Sequence, residues 1–319
     1  MPSIKSPFHL YDRSMIQFLI DLRLNYAVVS SGLVLFGFFW NGLRGFDWEY
    51  VALIISIFFS NVFGFVVNDF YDAPYDSKEP VKKTRNVFCS SNRNHLGKVV
   101  LITCLGLSLI FGGVVSHQIF FFIAFFNLLA FFYSAPPIRL RNRLCWDWLF
   151  VLLWKGFIIF TGFFYFSGLK LSIDPFMLGT VVMVMLVSFI SQIINQIRDF
   201  TVDEITDTNN STQRLGFHNA SFVKRVLLSL FYSFSFIFCL FFGLQGTVLL
   251  ILLNVVFYFF IKPSKHNHVI EFANLWLIVL FLERFMAHFS YLQQVLLSIF
   301  IVTLGVISVW YMKRIKLAS

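Results

Sequence analysis

The chain has 319 residues, of which 58% are hydrophobic and only 13% are charged, and its mean hydropathy is +0.77. This composition excludes an ordinary soluble domain and predicts a polytopic protein embedded in a lipid bilayer. The net charge of +9 does not indicate a nucleic-acid partner, because the basic residues lie in short loops between apolar segments.

Ten apolar segments are long enough to cross a bilayer, some of them near the lower length limit. They predict spans at about 15–39, 50–68, 98–115, 118–134, 147–168, 175–198, 222–242, 246–262, 270–289 and 293–312. The first segment is too long for a cleavable signal peptide and is expected to be retained. The predicted fold class is all-α, a polytopic transmembrane helix bundle.

The basic residues fall almost entirely on one side of this topology. If the N-terminus is cytoplasmic, the outer side keeps only Arg44 and Lys170. Because short cytoplasmic loops carry the excess of Lys and Arg, both termini are predicted to be cytoplasmic.

The second predicted span ends in a stretch of oxygen-bearing side chains. On a helix that turns about 100° per residue, Asn68, Asp69 and Asp72 share one face. Pro74 is expected to end the helix and to leave Asp76 on a loop. Carboxylates this close repel one another unless a cation neutralises them, and oxygen ligands favour Mg²⁺. The sequence therefore predicts a magnesium site here.

The loop after the fourth predicted span contains a double proline. Pro136 and Pro137 predict a stiff, extended segment that holds Arg139 and Arg141 outward. The alternative is that the two arginines only set the topology and contact lipid phosphates.

A second acidic motif, with Asp199, follows the sixth predicted span. On the same helical face lie Ser188, Gln192, Asn195, Gln196 and Asp203. Polar groups at membrane depth indicate either a hydrogen-bonded seam between helices or a lined cavity, and the two aspartates favour a cavity. Both motifs are expected at one cytoplasmic mouth, where Mg²⁺ and basic side chains would suit a diphosphate with an apolar tail.

These motifs resemble those of the UbiA superfamily of intramembrane prenyltransferases. The run Asn68-Asp69-x-x-Asp72-x-x-x-Asp76 resembles its NDxxDxxxD motif, and Asp199-x-x-x-Asp203 resembles its DxxxD motif. The resemblance extends over about residues 15–260 through Arg85, the YSAPP run Tyr133–Pro137 and the RLG run Arg214–Gly216.

The resemblance implies a bundle of nine to ten spans around a central cavity that opens at the cytoplasmic face. It implies two Mg²⁺ ions, one held by Asn68 and Asp72 and the other by Asp199 and Asp203. Asp72, Asp199 and Tyr133 would be the catalytic residues, with Tyr133 near the ionising bond. The remaining assignments are Asp69 and Asp76 in the first metal cluster, and Arg85, Arg139, Arg141 and Lys82 on the diphosphate.

The helical face of the sixth span adds Gln192, Asn195 and Gln196 as residues that could orient the acceptor or the allylic end. The expected activity is transfer of a prenyl group from a prenyl diphosphate to a lipophilic or aromatic acceptor of the quinone, lipid or pigment type. Residues 1–319 are expected to form one membrane-embedded domain, with extra spans at about 270–312.

Departures from the family pattern include Asn86, where many members have proline, and Asp207, where many have glycine. They leave the class of acceptor open. Three further ionisable residues, Lys155, Glu283 and Arg284, lie inside predicted spans, where they either find a partner across the bundle or serve a function.

Two other functions were considered. A cation-coupled transporter would also place Asp, Gln and Asn in the membrane, but it predicts an inverted repeat that the sequence does not display. A CDP-alcohol phosphotransferase also spaces aspartates by four residues, but its longer signature is absent from this chain.

Overall fold

The computed structural model describes residues 17–40, 47–169, 174–205 and 208–244, together with isolated positions up to residue 255. Its contacts divide the chain into two compact units, residues 1–228 and 229–319, and all predicted site residues belong to the first. Every regular element in the described part of the chain is a helix, which confirms the predicted all-α class.

The α-helices, numbered in chain order, are α1 (Leu24–Ser31), α2 (Leu35–Trp40), α3 (Trp48–Asp76), α4 (Pro80–Arg85), α5 (Ser91–Val115), α6 (His117–Ser134), α7 (Trp146–Phe166), α8 (Pro175–Arg198), α9 (Phe200–Ile205), α10 (Ser211–Leu215) and α11 (Phe217–Phe241). Short 3₁₀ turns at Gly32–Val34, Val87–Cys89 and Leu140–Asn142 interrupt or join them.

Six of these helices, α3, α5, α6, α7, α8 and α11, are long and apolar enough to cross a membrane. They correspond to the second through seventh predicted spans. The first predicted span is divided between α1, a 3₁₀ turn and α2. The predicted spans at 270–289 and 293–312, most of the one at 246–262, and both termini lie outside the described residues. The total of nine to ten spans therefore stays a prediction.

Helix α3 is longer than the sequence predicted. It continues to Asp76 with Pro74 inside it, so the expectation that Pro74 ends the helix was wrong. A proline lacks the N–H that would donate within the helix, and its ring crowds the carbonyl four residues before it. Because Pro74 lies two residues from the end, the last turn still closes, and the N–H of Ser77 donates to the carbonyl of Ala73 at 3.0 Å.

Capping side chains set the starts of three of the membrane-crossing helices. Asp47, Ser116 and Asp174 each accept a hydrogen bond from a backbone N–H in the first turn of α3, α6 and α8, respectively. Such caps satisfy donors that have no partner within the helix. The caps therefore determine the residue at which each of these three helices begins.

A buried polar seam joins α3, α5 and α6. The Ser60 hydroxyl donates to the side-chain oxygen of Asn127 at 2.5 Å, and the Asn127 amide donates to the Ser108 hydroxyl at 2.8 Å. Ser56 adds a bond to the carbonyl of Ser108 at 2.7 Å. Hydrogen bonds of this kind hold membrane helices together where apolar contacts alone do not distinguish a neighbouring helix from lipid.

Helices α2 and α7 approach each other through two glycines. A Cβ added at Gly37 would lie 2.2 Å from the backbone of Gly162, and a Cβ added at Gly162 would lie 2.4 Å from the carbonyl oxygen of Val34. Both distances fall on backbone atoms, which cannot rotate away. The close contact therefore requires glycine at both positions.

We predict that Gly162→Ala lowers the free energy of unfolding by about 1–3 kcal/mol, because the added methyl group overpacks a backbone contact. The measurement is the midpoint of thermal or denaturant unfolding of the purified protein in detergent. Gly106→Ala is the matched control, since a Cβ at Gly106 meets nothing within 4 Å. An unchanged midpoint for Gly162→Ala would contradict the close approach of the two helices.

Candidate active site

The first half of the candidate site lies at the C-terminal end of α3. The Asn68 amide donates to Asp72 at 2.9 Å, and the Ser134 hydroxyl donates to the Asn68 oxygen at 3.2 Å. Two guanidinium groups cover this pair. Arg139 donates to Asp72 at 3.4 Å, and Arg141 also forms an ion pair with Asp72. Asn68 and Asp72 thus form one oxygen-rich pair beneath two positive charges.

The other two acids of the first motif face different partners. Asp69 is buried and forms an ion pair with Arg23 at 2.7 Å. Asp76 accepts a hydrogen bond from the Asn86 amide at 2.9 Å, and the same amide donates to the backbone carbonyl of Asp69 at 2.7 Å. The three residues predicted to share a helical face, together with Asp76, are therefore divided among three sets of partners.

The loop that follows α6 bends back over α3. Arg139 has a left-handed backbone, with φ of 38°, and donates to the Tyr75 hydroxyl at 2.7 Å as well as to Asp72. The expectation that the double proline holds Arg139 and Arg141 outward was wrong, because the carboxylate of Asp72 attracts both guanidinium groups. At the end of α6, the Tyr133 ring stacks on Phe150 with centroids 4.3 Å apart.

The second half of the candidate site lies where α8 ends and α9 begins. Asp199 caps α8 and accepts two hydrogen bonds from the neighbouring Arg198, at 2.8 and 3.1 Å. Asp203 is buried, and it accepts from Lys82 at 3.1 Å and from Asn210 at 2.8 Å. Burial raises the pKa of Asp203, and the charge of Lys82 opposes this rise.

Basic side chains from other segments join the two halves. Lys82 lies on α4, directly after the first motif, yet it pairs with Asp203 of the second. Arg141 pairs with Asp72 of the first motif. Burial lowers the pKa of Arg141, and the charge of Asp203 in the second motif acts in the opposite direction. Lys82 thus links the segment that follows the first motif to the second motif. That both motifs share one site at the cytoplasmic mouth stays a prediction. Arg85 is exposed and forms no ion pair within the described residues.

The polar face of α8 is less uniform than its periodicity predicts. Gln192 is half-buried and Asn195 is exposed, whereas Gln196 is buried. Both ends of the Gln196 amide are already occupied. Its oxygen accepts from Trp148 and from Thr212, each at 2.8 Å. Gln196 therefore takes part in a hydrogen-bonded seam between helices.

The centre of that seam is Asp147, which the sequence analysis did not identify. Its carboxylate is fully buried at the start of α7 and accepts from the Gln196 amide at 2.7 Å. It also accepts from the backbone N–H of Trp148 at 2.9 Å. Ser211 donates two further hydrogen bonds to it, one from its backbone N–H at 3.0 Å and one from its hydroxyl. Since Ser211 follows Asn210, the seam ends at the residue that holds Asp203. An acid at the start of an apolar helix was the only clue in the sequence.

The oxygen donors of the two motifs suit Mg²⁺, but neither motif forms a complete cage. No group of three or more His, Cys, Asp or Glu side chains could hold a metal among the residues that the structure describes. Each half instead offers a pair of oxygen ligands, Asn68 with Asp72 or Asp199 with Asp203. Mg²⁺ is usually bound in this way, with substrate phosphate and water completing its octahedral shell.

Comparison with known proteins gives a consistent result. The model of the UbiA prenyltransferase family matches residues 30–278. A search of curated protein sequences found no match. Among solved structures, a UbiA homologue from Archaeoglobus fulgidus bound to GPP and Mg²⁺ is similar, with 16% identity and a TM-score of 0.64, covering 84% of this chain and 98% of its own.

Two other structures are similar to this chain. A UbiA homologue from Archaeoglobus fulgidus bound to DMAPP and Mg²⁺ has 17% identity and a TM-score of 0.60, covering 84% of this chain and 99% of its own. An apo UbiA homologue from Aeropyrum pernix K1 has 13% identity and a TM-score of 0.65, covering 83% of this chain and 99% of its own. At these identities, the similarity establishes a shared fold.

We predict that Asp147→Asn lowers the free energy of unfolding by about 2–4 kcal/mol, because the new amide leaves buried donors without an acceptor. The measurement is equilibrium unfolding in detergent. Glu204→Gln serves as the control, since Glu204 is exposed. Equal stability of the two variants would show that the seam does not hold the second motif in place.

Proposed function

Because the chain belongs to the UbiA prenyltransferase family, we propose that it transfers a prenyl group from a prenyl diphosphate to a lipophilic or aromatic acceptor in a Mg²⁺-dependent reaction. The protein is an integral membrane protein with apolar helices long enough to span a bilayer. The family leaves the transporter and CDP-alcohol phosphotransferase alternatives without support.

One observation carries this proposal, the arrangement of positive charges between the two acidic motifs. Arg139 and Arg141 contact Asp72, while Lys82 contacts Asp203. The negative charge of a diphosphate suits such a group of cations, and its oxygens would complete the shells of the Mg²⁺ ions that the two motifs would hold. Arg85, at the end of the helix that carries Lys82, is proposed to bind the same diphosphate from the solvent side.

The proposed metal ligands are Asn68 and Asp72 for one ion and Asp199 and Asp203 for the other. When bound, Mg²⁺ supplies positive charge that stabilises the diphosphate as a leaving group. Asp69 and Asp76 support the first pair, because Arg23 and Asn86 hold them in place around it.

In the reaction, the bond between the allylic carbon and the diphosphate oxygen breaks, and its electron pair leaves with the diphosphate. Arg139, Arg141 and Lys82 stabilise the negative charge that develops on the leaving group. The Tyr133 ring, held by Phe150, offers an aromatic face to the allylic cation. The acceptor atom donates an electron pair to the allylic carbon and then loses its proton to water.

The location of the acceptor and the extent of the domain are also proposals. Gln192 and Asn195 are proposed to orient the acceptor or the allylic end, and Gln196 acts on them only through its place in the seam. The single domain of residues 1–319 and the cytoplasmic orientation of the termini and of the active-site mouth rest on the hydropathy and charge pattern of the sequence.

We predict that Asp72→Ala and Asp199→Ala each reduce Mg²⁺-dependent formation of a prenylated product by a factor of about 10² or more. Each substitution removes a proposed ligand of the Mg²⁺ that would stabilise the diphosphate leaving group. The measurement uses the purified full-length chain, a panel of prenyl diphosphates and an extract of lipids and aromatic compounds. Mass spectrometry identifies the product.

Glu49→Gln is the control for this experiment, because Glu49 lies in the first turn at the opposite end of α3. It is expected to retain wild-type turnover. Removal of Mg²⁺ with a chelator should abolish turnover in the wild type. Turnover that survives both alanine substitutions, or a wild type that neither binds nor consumes any prenyl diphosphate, would overturn the proposal.

A further inference from the structure

One buried ion pair has no role in the proposed reaction. It joins Asp21, in the helical residues 17–21 before α1, to Arg93 in the first turn of α5, with Nη1 of Arg93 at 2.6 Å from the Asp21 carboxylate. The Asp21 side chain is 2% exposed, and its other oxygen accepts from Gln17 at 2.9 Å. A carboxylate this buried is costly without its cation, so Asp21 holds the Arg93 guanidinium in place.

The same guanidinium also contacts α4, the short helix that carries Lys82. Nη2 of Arg93 donates to the backbone carbonyl of Thr84 at 2.8 Å. Thr84 belongs to the last turn of α4, where carbonyl groups have no partner within the helix, and Arg93 supplies one. Arg93 thus connects the buried Asp21 carboxylate to the end of α4.

Helix α4 depends on such contacts because its own packing is sparse. It has six residues, and a helix this short is not stable in isolation. Among its described side chains, Lys82 is half-buried, whereas Pro80, Lys83, Thr84 and Arg85 are exposed. Burial of apolar surface by these side chains therefore does not fix the position of α4.

Two hydrogen-bonded anchors fix the direction of α4 instead. The first is Asn86, directly after the helix, whose amide donates to the Asp76 carboxylate of α3 at 2.9 Å. A single anchor at one end would leave α4 free to pivot about it. Arg93 supplies the second anchor, on the side of α5. With both anchors in place, α4 is oriented so that Lys82 reaches Asp203 at 3.1 Å.

The segment that carries Asp21 is also tied to the first motif. Arg23, two residues later, has a left-handed backbone with φ of 57° and pairs with Asp69 at 2.7 Å. This turn separates the two side chains, so Arg23 reaches α3 while Asp21 reaches α5. The contacts therefore form a chain of connections from the first motif through residues 21–23, Arg93 and α4 to the second motif.

We propose that Asp21 and Arg93 are positioning residues for the diphosphate, because the pair holds α4 in the orientation in which Lys82 faces the second motif. This inference rests on the proposed function, in which Lys82 binds the diphosphate. Asp21 and Arg93 act through α4 and do not touch the substrate. Without the pair, α4 pivots about Asn86, and Lys82 no longer supplies its charge-assisted hydrogen bond to the diphosphate.

The test measures the dissociation constant of a non-reactive prenyl thiodiphosphate, with Mg²⁺, for the full-length chain in detergent. Lys82→Met is expected to raise this constant about tenfold, which corresponds to the loss of one charge-assisted hydrogen bond. Arg93→Gln and Asp21→Asn are each expected to raise it about threefold or more. Lys83→Gln is the matched control, because Lys83 is exposed on the same helix, and it should bind as tightly as the wild type.

The coupling between Arg93 and Lys82 separates a positioning role from a general structural one. If Arg93 acts through Lys82, the double variant Lys82→Met/Arg93→Gln binds no more weakly than Lys82→Met alone, within about twofold. A role in stability alone would lower the unfolding midpoint of Arg93→Gln without this coupling. Asp21→Asn keeps the size of the side chain, and it takes the place of Arg93→Gln in the double variant if that protein does not fold.

Two results would overturn the inference while the wild type binds the thiodiphosphate. One is an unchanged dissociation constant in both Arg93→Gln and Asp21→Asn, and the other is a loss that multiplies with that of Lys82→Met. A Lys82→Met variant that binds like the wild type also overturns it, and the turnover of Asp72→Ala then decides the proposed function separately. A wild type that does not bind the thiodiphosphate with Mg²⁺ overturns the proposed function, and the inference with it.

Discussion

The structure of the candidate site depends on the neutralisation of buried carboxylates by cations from distant parts of the chain. Arg23, Lys82 and Arg141 form ion pairs with Asp69, Asp203 and Asp72, at chain separations of 46, 121 and 69 residues. Acids gathered at one end of a helix bundle would otherwise repel one another and resist burial. Each ion pair also attaches a separate segment to the end of α3 or α9, so these charges organise the protein around the candidate site.

Under the proposed function, one set of cations would serve two states. In the structure the guanidinium groups neutralise Asp72, and the acids of each motif are divided among separate partners. A bound diphosphate would bring its own negative charge together with metal ions, so the cations would bind its oxygens while the acids would hold the metal. Contacts away from these cations, such as the stacking of Tyr133 on Phe150 and the seam around Asp147, would not take part in this exchange. They hold the helices in place while it occurs.

The polar residues inside the membrane belong to two kinds. The Ser60 and Asn127 pair and the Gln196 seam are satisfied by neighbouring helices, and they explain packing. Lys155, in contrast, carries a charge, and it donates to the Ser30 hydroxyl of α1. The distinction matters because a polar residue in an apolar helix indicates a ligand only when the protein itself leaves its charge uncompensated. By this criterion Gln196, which the sequence pattern favoured as a ligand, contributes to helix packing.

The sequence by itself determined the all-α membrane class and the approximate positions of the six described spans, because hydropathy and segment length are local properties of the chain. Motif spacing likewise brought Asn68 and Asp72 together correctly, since residues four apart meet on one helix turn. Only the tertiary structure decided that Asp69 faces Arg23, that Arg139 folds inward, and that Asp147 supports the second motif. These outcomes depend on partners far away in the chain. Local periodicity carries no information about an ion pair between residues that only folding brings into contact.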